Sequence, residues 1–358
     1  MVNNMKENWF GVLNRKFWEI YVYVDIILYH LTQIPWFVGN IWSYLVDTDH
    51  DLSDSKSLIW NSLFALVKTT VRMVDKILFG RRDKQFSLST NIRYATKRPR
   101  QTLNEYVPKD IKSNRVIIFL HGGTWHSGSA DLYHNFCKYA AEKNGYLCYC
   151  LNYTLFPKGY LEEMIEDVDR GVDFSMKLAE KRVSNAEFIL VGHSAGAHLF
   201  SLVCQQKLKP IAKYDATEWK LESISKLVLL CGVYDMVTHY EYEKKRQVHI
   251  ISPMWQVCKG VERFPLFSPS LIIDNLGEEA TSLYEKWPKT VIAHGKLDVT
   301  CPFIQSEGFY QRLSSKCTYQ EVTLQLLDQF YHGDLITNFM GIEKDTKKRD
   351  IIWNLITQ

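Results

Sequence analysis

None of the eight cysteines in this 358-residue chain stands in a C-x-x-C pair or at zinc-ligand spacing. That removes thioredoxin-type redox motifs and structural zinc knuckles from consideration. Cys148 and Cys150 lie two apart in an apolar run, where a strand would turn both to one face. All eight are read as reduced thiols, which favours a domain facing the cytosol. An excess of one charge is missing too: 43 basic residues against 40 acidic leave +3, and nothing calls for a nucleic-acid partner. There is no nucleotide-binding glycine pattern, no internal repeat and no low-complexity tract. Neither a cofactor nor a metal is expected.

A clean membrane span and a signal-peptide cleavage site are also absent, yet the first 82 residues are unusual. Phe17 to Val46 is apolar and aromatic, and five of the ten tryptophans (Trp9, Trp18, Trp36, Trp42, Trp60) fall before residue 61. Glu19, Asp25 and Pro35 interrupt a crossing. Ser57 to Arg82 carries apolar residues at helical spacing (Trp60, Leu63, Phe64, Val67, Val71, Val74, Leu78), with Lys68, Arg72 and Lys76 on another side. Between Arg81 and Arg100 seven basic residues (Arg81, Arg82, Lys84, Arg93, Lys97, Arg98, Arg100) face one acidic residue, Asp83. Such a run suits an anionic membrane surface. Two readings stand for residues 1–82: a membrane-associating segment, or a helical cap over the domain formed by residues 83–358.

From Arg115 onward, apolar strand-like runs alternate with helical patterns. The runs are RVIIFLHGG, GYLCYCLNY, FILVG, SKLVLLCGVYD, TVIAHG and TLQLLD, with helices expected near Asp131–Lys143 and Tyr160–Lys181. Alternation of this kind predicts an α/β fold, a mostly parallel central sheet with helices on both faces. Residues 234–276 read as a cap-like insertion.

Val191 to Leu199 reads VGHSAGAHL, a G-x-S-x-G with Ser194 between Gly192 and Gly196. The strand before it and the amphipathic helix expected over Ala195–Gln206 are the setting in which a serine hydroxyl stands at the apex of a sharp turn. A hydroxyl is a poor nucleophile without a base. Of the eleven histidines only His332 follows Asp298, in a loop after the last strand-like run. Asp298, after TVIAHG, is the candidate acid, with Asp328 and Asp235 as rivals. The order Ser194, Asp298, His332 is that of the α/β-hydrolases. Gly122 and Gly123 in LHGGTW, with the amide of Ala195, are candidate oxyanion donors, unless the two glycines only make a tight turn. His193 and His198 are read as packing residues and His121 as an orienter of the glycine loop. Trp125, Phe156, Tyr234, Trp255, Phe264 and Phe267 are candidates for an apolar substrate groove, or for ordinary core packing.

Taken together, HGGTW, FPKGYLEEMIEDV, GHSAGAHL, VYDM, FSPSLI, HGKLDVTCP and HGDL resemble the isoprenylcysteine alpha-carbonyl methylesterases and the related kynurenine formamidases, over roughly Arg115 to Leu335. The HG before Asp298, the CP after it, HGDL and the hydrophobic N-terminal region are more similar to the methylesterases. His193 departs toward the formamidases. The resemblance implies a serine hydrolase that removes the methyl ester of a prenylated cysteine at a membrane surface, by a Ser-His-Asp acyl-enzyme route without a cofactor. It further implies an endoplasmic reticulum or Golgi location with the catalytic domain facing the cytosol. The alternatives are a formamidase, a general carboxylesterase or lipase-like enzyme, and a cytoplasmic location.

Overall fold

The computed structural model describes residues 85–249, 252–334, 338–339 and 346–358. The apolar N-terminal region, its tryptophans and Arg81, Arg82 and Lys84 lie outside the described residues, and so does the expectation placed on them. No helix among the described residues is long and apolar enough to cross a membrane.

Six apolar runs form the strands expected of them: β3 (Arg115–Leu120), β4 (Leu147–Leu151), β5 (Glu187–His193), β6 (Ile224–Leu230), β7 (Thr290–Gly295) and β8 (Val322–Leu327). Two more, β1 (Phe86–Arg93) and β2 (Thr102–Pro108), precede them. The sheet order is β1-β2-β4-β3-β5-β6-β7-β8, parallel from β4 to β8, with β2 antiparallel to both neighbours. The chain from Asp83 to Gln358 forms one unit, an α/β-hydrolase fold with helices on both faces of the sheet. Strands buried on both faces need continuous apolar sequence, and Val116 to Leu120 are all fully buried.

The helices are α1 (His134–Asn144), α2 (Leu161–Glu180), α3 (Ala195–Leu208), α4 (Met236–Lys245), α5 (Met254–Val257), α6 (Pro269–Leu276), α7 (Glu279–Tyr284), α8 (Ile304–Lys316) and α9 (Thr346–Thr357). The α2 start is capped by Glu163, whose carboxylate accepts from the Tyr160 amide at 2.8 Å. The amphipathic helix expected after Ser194 is instead buried on every side from Ala195 to Gln206. Its polar groups are used internally: Gln205 donates to Pro269 O and Tyr284 Oη, and Gln206 accepts from the amides of Ile211 and Ala212.

Part of the basic run is engaged within the fold. Arg98 turns inward onto Asp167 at 2.6 Å and Glu166 at 2.7 Å, Lys97 binds Glu166 at 3.0 Å, and Arg100 donates to the carbonyls of Tyr153 and Gly128. Asp167 also accepts from Gln101 and the Thr154 amide. Lys97 and Arg98 answer the acidic face of α2, which the segment's own sequence does not reveal. Breaking a buried pair strands its partner, so Arg98→Met should cost about 3 kcal/mol of unfolding free energy. The 63% exposed Lys97 should cost less than about 1 kcal/mol when changed to Met. Urea titrations of the two variants check the contrast, and equal losses would count against it.

Candidate active site

The strand order reverses around β3. Its chain successor β4 lies on one side, and β5 lies on the other, with Leu120 paired to Gly192. The loops leaving β3 and β5 therefore meet at the carboxyl edge of the sheet, where open α/β sheets form their sites. His121–Gly123 leaves from one strand and His193–Ser194 from the other.

Ser194 sits at φ 54° and ψ −121°, ahead of the first turn of α3. A side chain on Gly192 would meet the Ala197 amide at 2.7 Å, and one on Gly196 would meet the His121 carbonyl at 2.7 Å. Only glycine allows helix and strand to approach so closely at both places. The Ser194 amide donates to Leu230 O at 2.8 Å, tying the turn to β6.

Ser194 Oγ lies 3.0 Å from His332 Nε2, and His332 Nδ1 lies 2.6 Å from Asp298 Oδ2. The three side chains named from the sequence thus form one hydrogen-bonded chain, contributed by the loops after β5, β7 and β8. Asp298 Oδ1 accepts the amides of Thr300 and Cys301, each at 2.8 Å, and His294 Nε2 approaches Oδ2 at 3.1 Å. Burial pushes the Asp298 carboxyl up, but its hydrogen bonds to His294 and His332 outweigh this and hold it well below the usual carboxylate range. The rivals are occupied elsewhere. Asp328 is an exposed partner of Lys296, and Asp235 caps α4 by accepting from the amides of Val237 and Thr238.

Of the three expected oxyanion donors, Gly122 is redirected: its amide donates to Tyr133 Oη at 3.1 Å. The amides of Gly123 and Ala195 have no acceptor among the described residues. Gly123 has φ 124°, and Thr124 and Trp125 follow at 47° and 62°. This tight turn is held by Ser127, whose amide and hydroxyl both donate to Gly123 O at 2.9 Å. Trp125 Nε1 donates to His198 Nδ1 at 3.1 Å, and His198 Nε2 donates to Phe267 O at 2.7 Å.

The aromatic candidates divide. Phe156 and Trp255 reach solvent, while Trp125 is buried against His198. Tyr234, Phe264 and Phe267 are core side chains, with Tyr234 stacked on Phe309 at 4.4 Å. All three are buried in the core, so they do not form a groove wall. Tyr133 carried no mark in the sequence, and His294 was noted only as part of the HG before Asp298. His294 stands four residues before Asp298, a spacing with no meaning until the loop is seen to fold back. Among the described residues Cys231, His294 and Asp298 bring three donor atoms of metal-ligating type within 4.8 Å of one another. Two of those atoms are already paired with each other.

The BD-FAE family model matches residues 103–313, more than half of the sequence. The chain belongs to the BD-FAE family. The probable isoprenylcysteine alpha-carbonyl methylesterase ICMEL1 of Oryza sativa subsp. japonica is 29% identical over 66% of this chain and 55% of the rice protein. A kynurenine formamidase of Salmo salar is 26% identical over 67% of this chain and 78% of its own length. Among solved structures, esterase B from Lactobacillus rhamnosis superposes with a TM-score of 0.62 at 20% identity, covering 84% of this chain and 96% of that one. The chain spans about half the length of the plant relatives it matches. All eight cysteines are free and buried.

Burial lowers the pKa of His121 and His193 to about 3 and that of His198 to about 4. In the unfolded chain these rings titrate near 6.5. The unfolded state therefore binds more protons below about pH 6.5, and their contribution to stability is complete above that pH and declines as pH falls toward 4. Asp298, depressed in the fold, acts in the same direction below about pH 4. Urea unfolding at pH 7.5, 6 and 5 should show a steepening loss, up to about 4 kcal/mol per pH unit for three rings. A flat profile across that range would contradict the neutral assignments.

Proposed function

We propose that the chain is a serine hydrolase of carboxylic esters, and that its substrate is the methyl ester of a prenylated cysteine. One observation carries the hydrolase reading: the continuous chain from Ser194 through His332 to Asp298, beside two amides with no acceptor among the described residues. His332 Nε2 takes the Ser194 proton as Oγ attacks the ester carbon, and Asp298 holds the ring and favours its cation. The amides of Gly123 and Ala195 receive the oxyanion. The proton then passes to the departing methoxide, which leaves as methanol. Water, deprotonated by His332, cleaves the acyl-enzyme to the carboxylic acid and restores Ser194.

The substrate assignment draws on two supports: the activity for which the plant relatives are named, and the tryptophan-rich N-terminal region, which suits a lipid boundary where a prenyl chain partitions. An endoplasmic reticulum or Golgi membrane surface, with the catalytic domain facing the cytosol, belongs to the same proposal. The salmon formamidase, matched over most of its own length, favours N-formylkynurenine as a second reading. The same parts would cleave a formamide.

Ser194→Ala should abolish turnover and labelling by a fluorophosphonate probe. Probe labelling that persists in the alanine variant would reject the nucleophile. Asp298→Asn should lower kcat on the order of ten-thousandfold, far beyond Asp328→Asn or Asp235→Asn. Rates measured side by side on a prenylcysteine methyl ester, N-formylkynurenine and a short aryl ester decide the substrate. Preference for the prenylated ester supports the assignment; preference for the formamide replaces it.

Association with lipid is read separately by flotation of the full chain with vesicles containing phosphatidylserine. Protein left wholly at the bottom of the gradient would remove the membrane half of the proposal.

A further inference from the structure

His193 does more than fill space beside the nucleophile. Its ring is buried, and both nitrogens are engaged: Nε2 lies 3.0 Å from the His332 carbonyl oxygen, and Nδ1 lies 3.1 Å from Tyr133 Oη. Tyr133 Oη in turn accepts the Gly122 amide at 3.1 Å. The donor directions close without conflict. The Gly122 N–H donates to the phenol oxygen, the phenol O–H donates to His193 Nδ1, and the His193 Nε2–H donates to the His332 carbonyl. A neutral imidazole has one donor and one acceptor, which is what this chain requires.

Each end of the chain is a place where a small displacement matters. Gly122 precedes Gly123, whose amide has no acceptor among the described residues, so fixing one peptide aims the next. The His332 carbonyl belongs to the residue whose ring faces Ser194, on a loop that leaves the edge strand β8. Between them stands His193, whose own backbone leads directly into Ser194. Nucleophile, base and oxyanion loop come from three separate stretches of chain; His193 is joined to the first by a covalent bond, to the second by a hydrogen bond, and to the third through Tyr133.

We infer that Tyr133 and His193 are positioning residues, a hydrogen-bonded link that sets the oxyanion loop and the His332 loop against Ser194 as one unit. This rests on the hydrolase reading above. Neither residue touches the reacting atoms. The link acts on how well the base and the oxyanion donors are aimed, so its loss lowers the rate of the chemical step with substrate affinity little changed. Misplacement of reacting groups by a fraction of an ångström to an ångström costs roughly ten- to a hundredfold.

The test uses the full chain with Tyr133→Phe, His193→Leu, His193→Gln and the double variant Tyr133→Phe with His193→Leu. Turnover of p-nitrophenyl butyrate and the rate of fluorophosphonate labelling are measured, with melting temperature as the check on folding and Ser194→Ala as the blank. Tyr133→Phe and His193→Leu should each lower kcat and the labelling rate roughly ten- to a hundredfold, with KM within about threefold. Glutamine also offers both an N–H donor and an acceptor, so His193→Gln should recover most of the loss. The double variant should be little worse than the worse single one, because both break the same link.

A loss carried by KM, a glutamine variant as damaged as the leucine one, or single losses that multiply in the double variant would each overturn the inference. If His193→Leu does not fold, Tyr133→Phe and His193→Gln decide: a loss in the first with activity kept in the second supports the link, and any other pattern rejects it. Wild-type protein without Ser194-dependent turnover or labelling would remove the hydrolase reading itself. That result is distinct from normal wild-type activity with unaffected variants, which removes only the link.

Discussion

A serine held at φ 54° and ψ −121° is in a sparsely populated region that costs on the order of 1–3 kcal/mol, and the surroundings must enforce it. Here β5 and α3 enforce it from either side: the strand is paired on both edges, and the helix is buried all round. The two glycines of the elbow let α3 lie against the end of β3, which in turn sets the distance from Ser194 to the glycine loop. The carboxyl ends of β5, β7 and β8 deliver the three members of the chain without further adjustment. Relaxing the elbow would move the hydroxyl away from every group arranged around it.

Charge around the serine is distributed with equal economy. Burial keeps the rings of His121, His193 and His198 neutral, while hydrogen bonds keep Asp298 ionised despite its burial. An imidazolium formed at His332 would therefore face one fixed negative charge and no competing cation from these three neighbours. Asp298 is suited to that task because its other oxygen is already satisfied by two backbone amides, so the carboxylate cannot swing toward a different partner.

How much of this could be read from the residues follows their physics. Ser194, Asp298 and His332 were legible because chemistry demands those types beside turn-forming glycines, at the ends of apolar runs. The six parallel strands were legible for the same reason, as buried runs spaced by helical patterns. Strand β2 was not: Asn104 and Glu105 are buried in it, and no alternation reveals a strand whose glutamate finds its partner, Arg182, 77 residues away. The exposed edge strand β1 carries little apolar signal. The redirected Gly122 amide depends on Tyr133, a tyrosine with no local mark. Tyr234, Phe264 and Phe267 read equally well as groove or core, since composition is blind to which side of a segment faces water. Arg98 likewise looked like a surface cation until α2 supplied its acids.

The eight thiols have a consequence of another kind. Every one is buried, and burial pushes Cys137, Cys204, Cys231, Cys258, Cys301 and Cys317 toward the unreactive protonated form. They are distributed from α1 through the sheet to the loop after α8. A thiol can meet an alkylating reagent only when the segment covering it opens. The fold therefore carries its own set of latent probes: the order in which cysteines become modified under mild stress would chart which parts of the scaffold breathe first. Loss of function after such treatment would report that opening, and not a cysteine that takes part in the chemistry.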